Sequence, residues 1–390
     1  MSNYKERKEV LLEGLSGHKL RVVDALLENQ FKATKKLLET AGAGVVASGN
    51  FQRFDQIVGP LVRRVMPAVI AMELVGVQPL TGPTGAVRTV RARYSTTKTA
   101  GGPTAQDEAS GTIVYDKYSL IASGDTAYTA SDARTAAQIT AALESDRGNL
   151  MNIETVMQTV TAQMRVLSAV WSIVADQDAD NLDGLSMKDE MVAVLSDEII
   201  RDIDREIITD LTNLAGTVKA FDFSQADGRF AGEKFSALSI GCSDLSRSIA
   251  TKTKRGSATW MVVAPNVLTA LTHASNGSFV PASPSGELMP NSTLFVGTFK
   301  GSVRVFLDIY ASADTILMGY KGNDWDSGFV YAPYIPLMAG DVIQDPSTLD
   351  YVMPMMTRYA KASFTSTTTS LGNSADYYAR AVVSNLALGF

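Results

Sequence analysis

Five carboxylates near residue 180 form the group of side chains that could best ring a hard cation such as calcium: Asp176, Asp178, Asp180, Asp183 and Glu190. An EF-hand calcium loop needs glycine at its sixth position and a bidentate glutamate at its twelfth. Counted from Asp176, those positions hold Asn181 and Met187. The spacing therefore favours a break between helices with solvated carboxylates, and we predict no metal site.

The chain has few histidine and cysteine residues that could take part in metal binding or catalysis. The sequence contains two histidines, His18 and His273, and one cysteine, Cys242. This set cannot build a histidine-rich metal centre, a Cys/His site or an internal disulfide. Cys242 falls on the apolar face of a predicted helix, which indicates a small buried residue rather than a nucleophile.

Phosphate-binding and nucleophile motifs are also missing from the sequence. It has no G-x-x-x-x-G-K-[ST], G-x-G-x-x-G or G-x-S-x-G, and the nearest glycine cluster, Gly319-Tyr320-Lys321-Gly322, lacks the spacing that cradles phosphate. We predict no cofactor and no catalytic residue. Any two of the 41 acids could still meet in a fold, so a soluble carboxylate-based enzyme stays as an alternative of a different class.

The composition describes a folded chain with a weakly charged surface. Of 390 residues, 35 are basic and 41 acidic, which gives a net charge of −6, and 45% are hydrophobic. These values argue against a disordered protein and against one that mainly grips nucleic acid or an anionic membrane. The single cysteine and the mixed charges of residues 1–20 lead us to expect an intracellular product. We expect no membrane segment, because the longest apolar run, 66–80, is broken by Glu73.

Basic residues cluster in three places, and their side chains favour ion pairs within or between subunits over phosphate contacts. The clusters are Arg63 and Arg64; Arg88, Arg91 and Arg93; and Lys252, Lys254 and Arg255.

The elements that position these residues begin with an amphipathic helix. Apolar residues recur at helical spacing from Leu20 to Leu38, and a Gly- and Ala-rich stretch follows. The first sixty residues read as an arm, with an ordinary terminal helix packed on its own domain as the alternative.

Strands at 87–94 and 111–122 then suggest a long hairpin whose connection, 95–110, is too polar to bury itself. We expect this ribbon to lie across another surface, and a mobile surface hairpin is the alternative.

The second half of the chain mixes helices and strands. Helical periodicity predicts helices over 151–174, over a stripe from Val192 to Leu214 whose outer face includes Asp202 and Asp204, and over 232–252. Predicted strands follow at 260–264, 294–299, 303–308, 315–320, 329–331, 351–353 and 377–383, with a short helix from Pro265. Without regular βαβ alternation, this pattern predicts an α+β fold.

The sequence closely resembles the major capsid proteins of tailed double-stranded DNA bacteriophages, in the T-even-like (myovirus) branch, at residues 61–85, LVRRVMPAVIAMELVGVQPLTGPTG. Further similar segments follow in order along the chain: 165–178, GRFAGE at 228–233, GYKG at 319–322, YAPY at 331–334 and TRY at 357–359. Several colinear matches make the resemblance specific.

The resemblance implies the HK97-like capsid fold, with an N-terminal arm, an extended loop, a peripheral domain with a long spine helix, and an axial domain. The predicted helix at 151–174 would be the spine helix. The implied boundaries are 1–60 for the arm, 61–86 and 123–215 for the peripheral domain, 87–122 for the extended loop, 216–337 for the axial domain, and 338–390 for a return to the peripheral domain.

The resemblance further implies a structural subunit rather than an enzyme. Such a subunit self-assembles into hexameric capsomers, or also pentamers, of an icosahedral head that encloses packaged viral DNA. Implied partners are other copies of itself, portal, scaffold, maturation protease and decoration proteins, with non-specific DNA contact on the inner face and no membrane. The location would be the virion, after assembly in the host cytoplasm. A pentameric vertex protein of the same family is the nearest alternative.

Two sets of site residues follow from the resemblance. Family members are cut after a glutamate that has an aliphatic residue two positions earlier, and Leu37-Leu38-Glu39 before Thr40 fits, as do Leu11-Leu12-Glu13 and Leu26-Leu27-Glu28. We predict cleavage between Glu39 and Thr40, which would remove 1–39 as a scaffold-like helix; an uncleaved helix is the alternative. The residues expected at inter-subunit contacts are Arg63, Arg64, Arg88, Arg91, Arg93, Thr96 and Lys98.

Overall fold

A computed structural model describes residues 12, 17–40, 69–94, 151–182, 187–223, 231–253, 255–274, 277–282, 294–340, 342–348, 350–364 and 374–386. The chain divides into two compact units. Unit 1 comprises Met1–Val87, Thr159–Asp210 and Phe329–Ala362, and unit 2 comprises Arg88–Gln158, Leu211–Gly328 and Ser363–Phe390.

The described helices are α1 (Gly17–Thr40), α2 (Ala71–Leu74), α3 (Ile173–Leu182), α4 (Met187–Leu214), α5 (Ala231–Thr253) and α6 (Pro265–Thr272), with a 3-10 turn at Ser374–Tyr377. The described strands are β1 (Gly76–Val77), β2 (Thr84–Tyr94), β3 (Met151–Thr161), β4 (Gln163–Trp171), β5 (Thr217–Asp222), β6 (Trp260–Val263), β7 (Phe279–Pro281), β8 (Leu294–Phe299), β9 (Val303–Leu307), β10 (Thr315–Gly319), β11 (Lys321–Asn323), β12 (Asp326–Ser327), β13 (Phe329–Ala339), β14 (Ile343–Gln344), β15 (Tyr351–Ser363) and β16 (Tyr378–Ser384). This combination confirms the predicted α+β class.

Unit 1 is built on a five-stranded sheet. Its strand order is β1-β13-β15-β14, and β4 also pairs with β15. The β4–β15 pairing is antiparallel and runs from Tyr351 opposite Trp171 to Tyr359 opposite Gln163. Nearly every residue of β13 is buried, because its sequence FVYAPYIPLMA is apolar at successive positions rather than alternate ones.

Helix α1 packs against β13 of the same unit. Val22, Val23 and Leu26 are fully buried, as the predicted helical spacing requires. Residues 17–30 therefore pack on the sheet of their own unit.

Two amide side chains of α1 form hydrogen bonds with backbone carbonyl groups of unit 1. Asn29 Nδ2 donates hydrogen bonds to the oxygens of Leu80 (2.6 Å) and Tyr334 (3.3 Å), and Gln30 Nε2 donates one to the oxygen of Leu337 (2.6 Å). These bonds satisfy carbonyl groups that would otherwise be costly to bury.

Helix α4, with 28 residues, is the longest described helix. Its predicted apolar stripe is confirmed, and the buried members are Val192, Leu195, Ile199, Ile203, Ile207 and Leu211. Asp204, predicted on the outer face, is instead buried. Its carboxylate accepts a hydrogen bond from the backbone N–H of Ile70 at 2.9 Å, where α2 begins.

Unit 2 contains a seven-stranded sheet with the order β5-β16-β10-β6-β9-β8-β7. Residues of α5 and α6 form one hydrophobic core with residues of this sheet. Cys242 of α5 is buried in that core, and burial raises the pKa of its thiol to about 12. The prediction that this cysteine is a core residue is therefore confirmed.

The structure overturns the helix predicted over 151–174, because this segment forms β3 and β4. Val and Thr are frequent here, and β-branched side chains favour strands over helices. Apolar residues spaced by three or four also fit a pair of strands joined at a bend, and pairing of β4 with β15 decides the outcome. The spine helix implied by the resemblance therefore does not lie at 151–174.

The region predicted to return to the peripheral domain, 338–390, is divided between the units. Residues up to Ala362 belong to unit 1, whereas β16 lies between β5 and β10 in the sheet of unit 2. Residues 329–337, expected in the axial domain, belong to unit 1. The reason is strand pairing: β13 continues without a break to Ala339, and β16 pairs parallel with β5.

Part of the acidic cluster lies on a helix, although the spacing predicts a break there. Asp176, Asp178 and Asp180 all belong to α3, and residues two apart on a helix do not face each other. Asp183 lies outside the described residues. Within the described ranges, no helix is long and apolar enough to cross a membrane.

Gly319 of the GYKG segment is required by close packing. A Cβ atom at this position would lie 2.2 Å from the ring of Trp260, which is fully buried in the same sheet. We expect Gly319→Ala to lower the free energy of unfolding by about 1–3 kcal/mol, because a buried ring must move. Urea unfolding followed by tryptophan fluorescence measures this change.

Gly82→Ala is the matched control, since the nearest atom to its Cβ, the Thr84 oxygen, would be 3.5 Å away. Equal stability of the two variants would contradict the assigned role of Gly319.

Candidate functional site

Strands β2 and β3 form a two-stranded ribbon. The predicted partner of β2, residues 111–122, lies outside the described residues; among the described strands, β2 pairs with β3. The hydroxyl of Thr89 in β2 donates a hydrogen bond of 2.7 Å to the backbone oxygen of Trp325. The ribbon is thereby attached to the β11–β12 hairpin of unit 2.

The residues predicted at inter-subunit contacts are only partly described. Arg88, Arg91 and Arg93 lie in β2, and Arg88 is exposed. Glu39 and Thr40, the predicted cleavage site, are the last two residues of α1. Outside the described residues lie Arg63, Arg64, Thr96 and Lys98.

A charged network, which we call the Glu206 cluster, joins α4 to the sheet of unit 1. Its acids, Asp202, Glu206 and Asp210, repeat every four residues and therefore share one face of the helix. Its other members, Arg165 of β4 and Tyr359 and Lys361 of β15, all contact Glu206.

Glu206 is the centre of the cluster. Its carboxylate accepts hydrogen bonds from Arg165 and Lys361, each at 2.5 Å, and from the Tyr359 hydroxyl. Arg165 also contacts Asp202 at 3.2 Å, and Lys361 contacts Asp210. One carboxylate on the helix thus holds side chains from two neighbouring strands.

Burial and hydrogen bonding shift the pKa values in the cluster. Burial would raise the pKa of Glu206, but the hydrogen bonds from Lys361 and Tyr359 and the nearby positive charges outweigh it and lower the pKa. Burial would lower the pKa of Lys361, and its bonds to Asp210 and Glu206 raise it instead. Burial and the bond to Glu206 both raise the pKa of the Tyr359 hydroxyl. The ionised acid and base therefore stabilise each other.

Two segments that carry the family resemblance meet beside this cluster. In the YAPY and TRY segments, the rings of Tyr331 and Tyr359 have their centroids 5.4 Å apart, and the guanidinium of Arg358 lies 5.4 Å from the centroid of the Tyr334 ring. These segments are neighbouring strands of one sheet. Their residues contact each other and form no separate chemical site.

The GYKG segment leads into a second charged group, in unit 2. Asp326 accepts hydrogen bonds from Arg255 and from the Tyr377 hydroxyl (3.1 Å), and Lys321 lies 3.5 Å from Asp324. Between them, the side chain of Trp325 is half exposed at the tip of the hairpin.

Both histidines lie within hydrogen-bond distance of backbone carbonyl oxygens. His18 Nε2 lies 3.1 Å from the Val77 oxygen, and His273 Nδ1 lies 2.9 Å from the Thr269 oxygen. No group of three or more His, Cys, Asp or Glu side chains in the described ranges could hold a metal ion.

The contacts of the Glu206 cluster are not predicted from the sequence. A signal was available, because acids at positions 202, 206 and 210 form a row beside the apolar stripe of α4. A row of acids is usually solvated, however, and its partners lie far away in the chain.

Glu206→Gln is expected to lower the free energy of unfolding at pH 7 by about 1–3 kcal/mol, because it leaves the buried Tyr359 hydroxyl and the partly buried Lys361 ammonium without an ionised partner. Since the pKa of Glu206 is lowered by folding, its contribution is present above the ordinary value of 4.5 and is lost as the pH falls through the folded value. The difference between the variant and the unsubstituted chain should therefore shrink in acid. Unfolding curves at pH 7 and at decreasing pH measure it.

The control is Glu198→Gln on the same helix, where the exposed carboxylate pairs with Arg201 at 3.3 Å. An exposed pair contributes little, about 0–1 kcal/mol. If Glu206→Gln lowers the free energy of unfolding at pH 7 no more than Glu198→Gln does, the stabilising role of the Glu206 cluster is contradicted.

Comparison with known proteins places these segments in a family. A family model described as "Major capsid protein Gp23" matches residues 51–383. The major capsid protein of Vibrio phage KVP40 is 28% identical, with 85% of this chain and 81% of that protein covered, and the major capsid protein of Enterobacteria phage T4 is 28% identical, with 80% and 75% covered. In the solved capsid structure of the cyanophage P-SCSP1u, the matching chain has a TM-score of 0.45 and 9% identity, with 81% of this chain and 88% of that chain covered.

The resemblance inferred from residues 61–85 and the later segments is confirmed by these matches. Proteins of this kind are structural components of the virion capsid rather than enzymes. Because the family model spans most of the sequence, including segments of both units, the chain belongs to the Gp23 family of major capsid proteins.

Proposed function

We propose that this major capsid protein forms hexameric capsomers, and also pentamers, of an icosahedral head that encloses packaged DNA. The match over residues 51–383 is the observation that carries the proposal. Repetition of one heterologous contact by rotation closes a ring, and many modest contacts together make dissociation of a shell negligible. In this proposal, contact with packaged DNA is non-specific and lies on the inner face of the shell.

An HK97-like arrangement is part of the proposal. Unit 1 corresponds to the peripheral domain and unit 2 to the axial domain, and α4 takes the place of the spine helix. Two observations support this placement of the spine helix: α4 has 28 residues, and the Glu206 cluster binds it to β4 and β15.

The ribbon supplies a contact between subunits in this proposal. A two-stranded sheet is marginally stable alone in water, and among the described residues no third strand pairs with β2 or β3. Packing on a neighbouring copy would stabilise it. We therefore keep Arg63, Arg64, Arg88, Arg91, Arg93, Thr96 and Lys98 as inter-subunit contact residues.

The other partners are assembly factors. Portal, scaffold, maturation protease and decoration proteins follow from the capsid role, and assembly takes place in the host cytoplasm before the subunit becomes part of the virion.

Electron microscopy of the purified recombinant chain, with sedimentation for mass, tests the proposal. Rings, tubes or shells built from six-fold units support it. Five-fold rings alone would assign the chain to the vertex instead, and a chain that stays monomeric at every concentration, with scaffold and protease supplied, would refute it.

Deletion of residues 96–109 is expected to leave the chain folded but to abolish closed shells, because it removes part of the 95–150 connection between β2 and β3, which in this proposal contacts the neighbouring copy. Circular dichroism measures folding, and microscopy with sedimentation measures assembly. A Gly/Ser replacement of equal length is the control that separates loss of contacts from shortening of the chain. Particles of normal size from the deletion variant would contradict the role of the ribbon.

Cleavage after Glu39 is expected during maturation. It would remove residues of α1 up to Glu39. These residues include the buried Leu26 and the hydrogen-bonding side chains of Asn29 and Gln30. Intact mass spectrometry of particles assembled with the protease should therefore find a chain that begins at Thr40. A chain that still begins at Met1, or that begins after Glu13 or Glu28, would contradict cleavage at Glu39.

A further inference from the structure

Strand β4 turns an apolar face outward. Side chains alternate along a strand, and on one face Arg165 reaches the acids of α4 while Ala169 and Trp171 are buried. On the opposite face Met164, Val166 and Val170 are 60%, 53% and 58% exposed. Ser168, also exposed, lies between Val166 and Val170 on this face, so the outward residues of β4 are uncharged and mostly apolar.

The same face continues over the neighbouring strands. Val352 lies opposite Val170 and Met356 lies opposite Val166 in the β4–β15 pairing, and Ile343 of β14, 63% exposed, lies opposite Val352. Directly opposite residues of an antiparallel pair share one face of the sheet. We call this patch the β4 face; its members are Met164, Val166, Val170, Ile343, Val352 and Met356.

Two features mark the β4 face as a contact surface. Contiguous exposed apolar patches are uncommon on soluble monomers and indicate interaction sites. In addition, β4 pairs with no strand other than β15 among the described residues, and its outward side chains include none of the charges that usually protect a sheet edge.

The chemistry of the β4 face favours another protein surface as its occupant. Its six members are uncharged. Arg358 lies opposite Met164 and therefore on the same side of the sheet, but it is partly buried and its guanidinium lies over the ring of Tyr334. Such a surface offers nothing to the phosphates of DNA, which are bound by exposed Lys and Arg. It matches an apolar, uncharged partner.

We propose that the β4 face is a contact surface for a second copy of this chain in the capsid, an inference that rests on the proposed function. A stable protein pair buries about 800 Å² on each partner, and six partly exposed side chains supply less. The β4 face is thus one of several contacts per copy, as a shell requires, and does not hold a dimer together alone.

Cysteine labelling tests the β4 face, because the native Cys242 is buried and its high thiol pKa leaves it unreactive towards maleimide. Val166→Cys, with Val170→Cys as a second variant, places one reactive thiol on the β4 face. Labelling in assembled particles is expected to be at least about tenfold slower than in the unassembled chain, because reagent reaches a buried contact only when it opens.

The matched control is Val194→Cys on α4, where the native valine is 54% exposed. Protection at positions 166 and 170 but not at 194 supports the inference. Equal labelling of the Val166→Cys variant in particles and in the unassembled chain, or equal protection at all three positions, overturns it while the proposed function stands. If the unsubstituted chain forms no particles with scaffold and protease supplied, the proposed function fails and this inference falls with it.

Discussion

The attachment of α4 to the sheet of unit 1 is the constraint on which the rest of that unit depends. The apolar stripe of α4 packs against the rest of the unit. Glu206 fixes the orientation of the helix relative to two strands, because its carboxylate accepts hydrogen bonds from both β4 and β15. A long helix that only buried apolar residues could slide or rotate against the strands. Charge-assisted hydrogen bonds have a defined geometry, so they set the register between the helix and the two strands. With one face of β4 held towards α4, its other face must point outward.

Three of the segments that carry the family resemblance, YAPY, TRY and GYKG, are explained by packing. YAPY and TRY lie on adjacent strands whose tyrosine rings contact each other, and the first glycine of GYKG leaves room for the Trp260 ring. These contacts explain why a structural protein keeps recognisable sequence signatures without any catalytic group. In an enzyme, such signatures commonly surround a pocket; in this chain they lie inside two sheets.

Local pattern is sufficient to predict α1, α4, α5, the strands β6, β8, β9 and β10, and the burial of Cys242, since each depends on periodicity within one segment. It is insufficient at 151–174, where helical spacing and β-branched composition disagree and pairing with a strand almost two hundred residues later decides the outcome. The Glu206 cluster is out of reach for the same reason. Its donors are separated from Glu206 by 41, 153 and 155 residues, and no local pattern encodes such a meeting. The predicted contact residues at 63, 64, 96 and 98 lie outside the described residues, so the structure does not bear on them.

The position of β16 has a consequence for synthesis. This strand is translated after every other described strand, yet it lies between β5 and β10 in the sheet of unit 2. Until the ribosome has made residues 378–384, β5 has no neighbour and one edge of β10 is open. A polypeptide that stops early therefore lacks an interior strand rather than a peripheral one. Completion of translation is therefore a condition for forming this seven-stranded sheet.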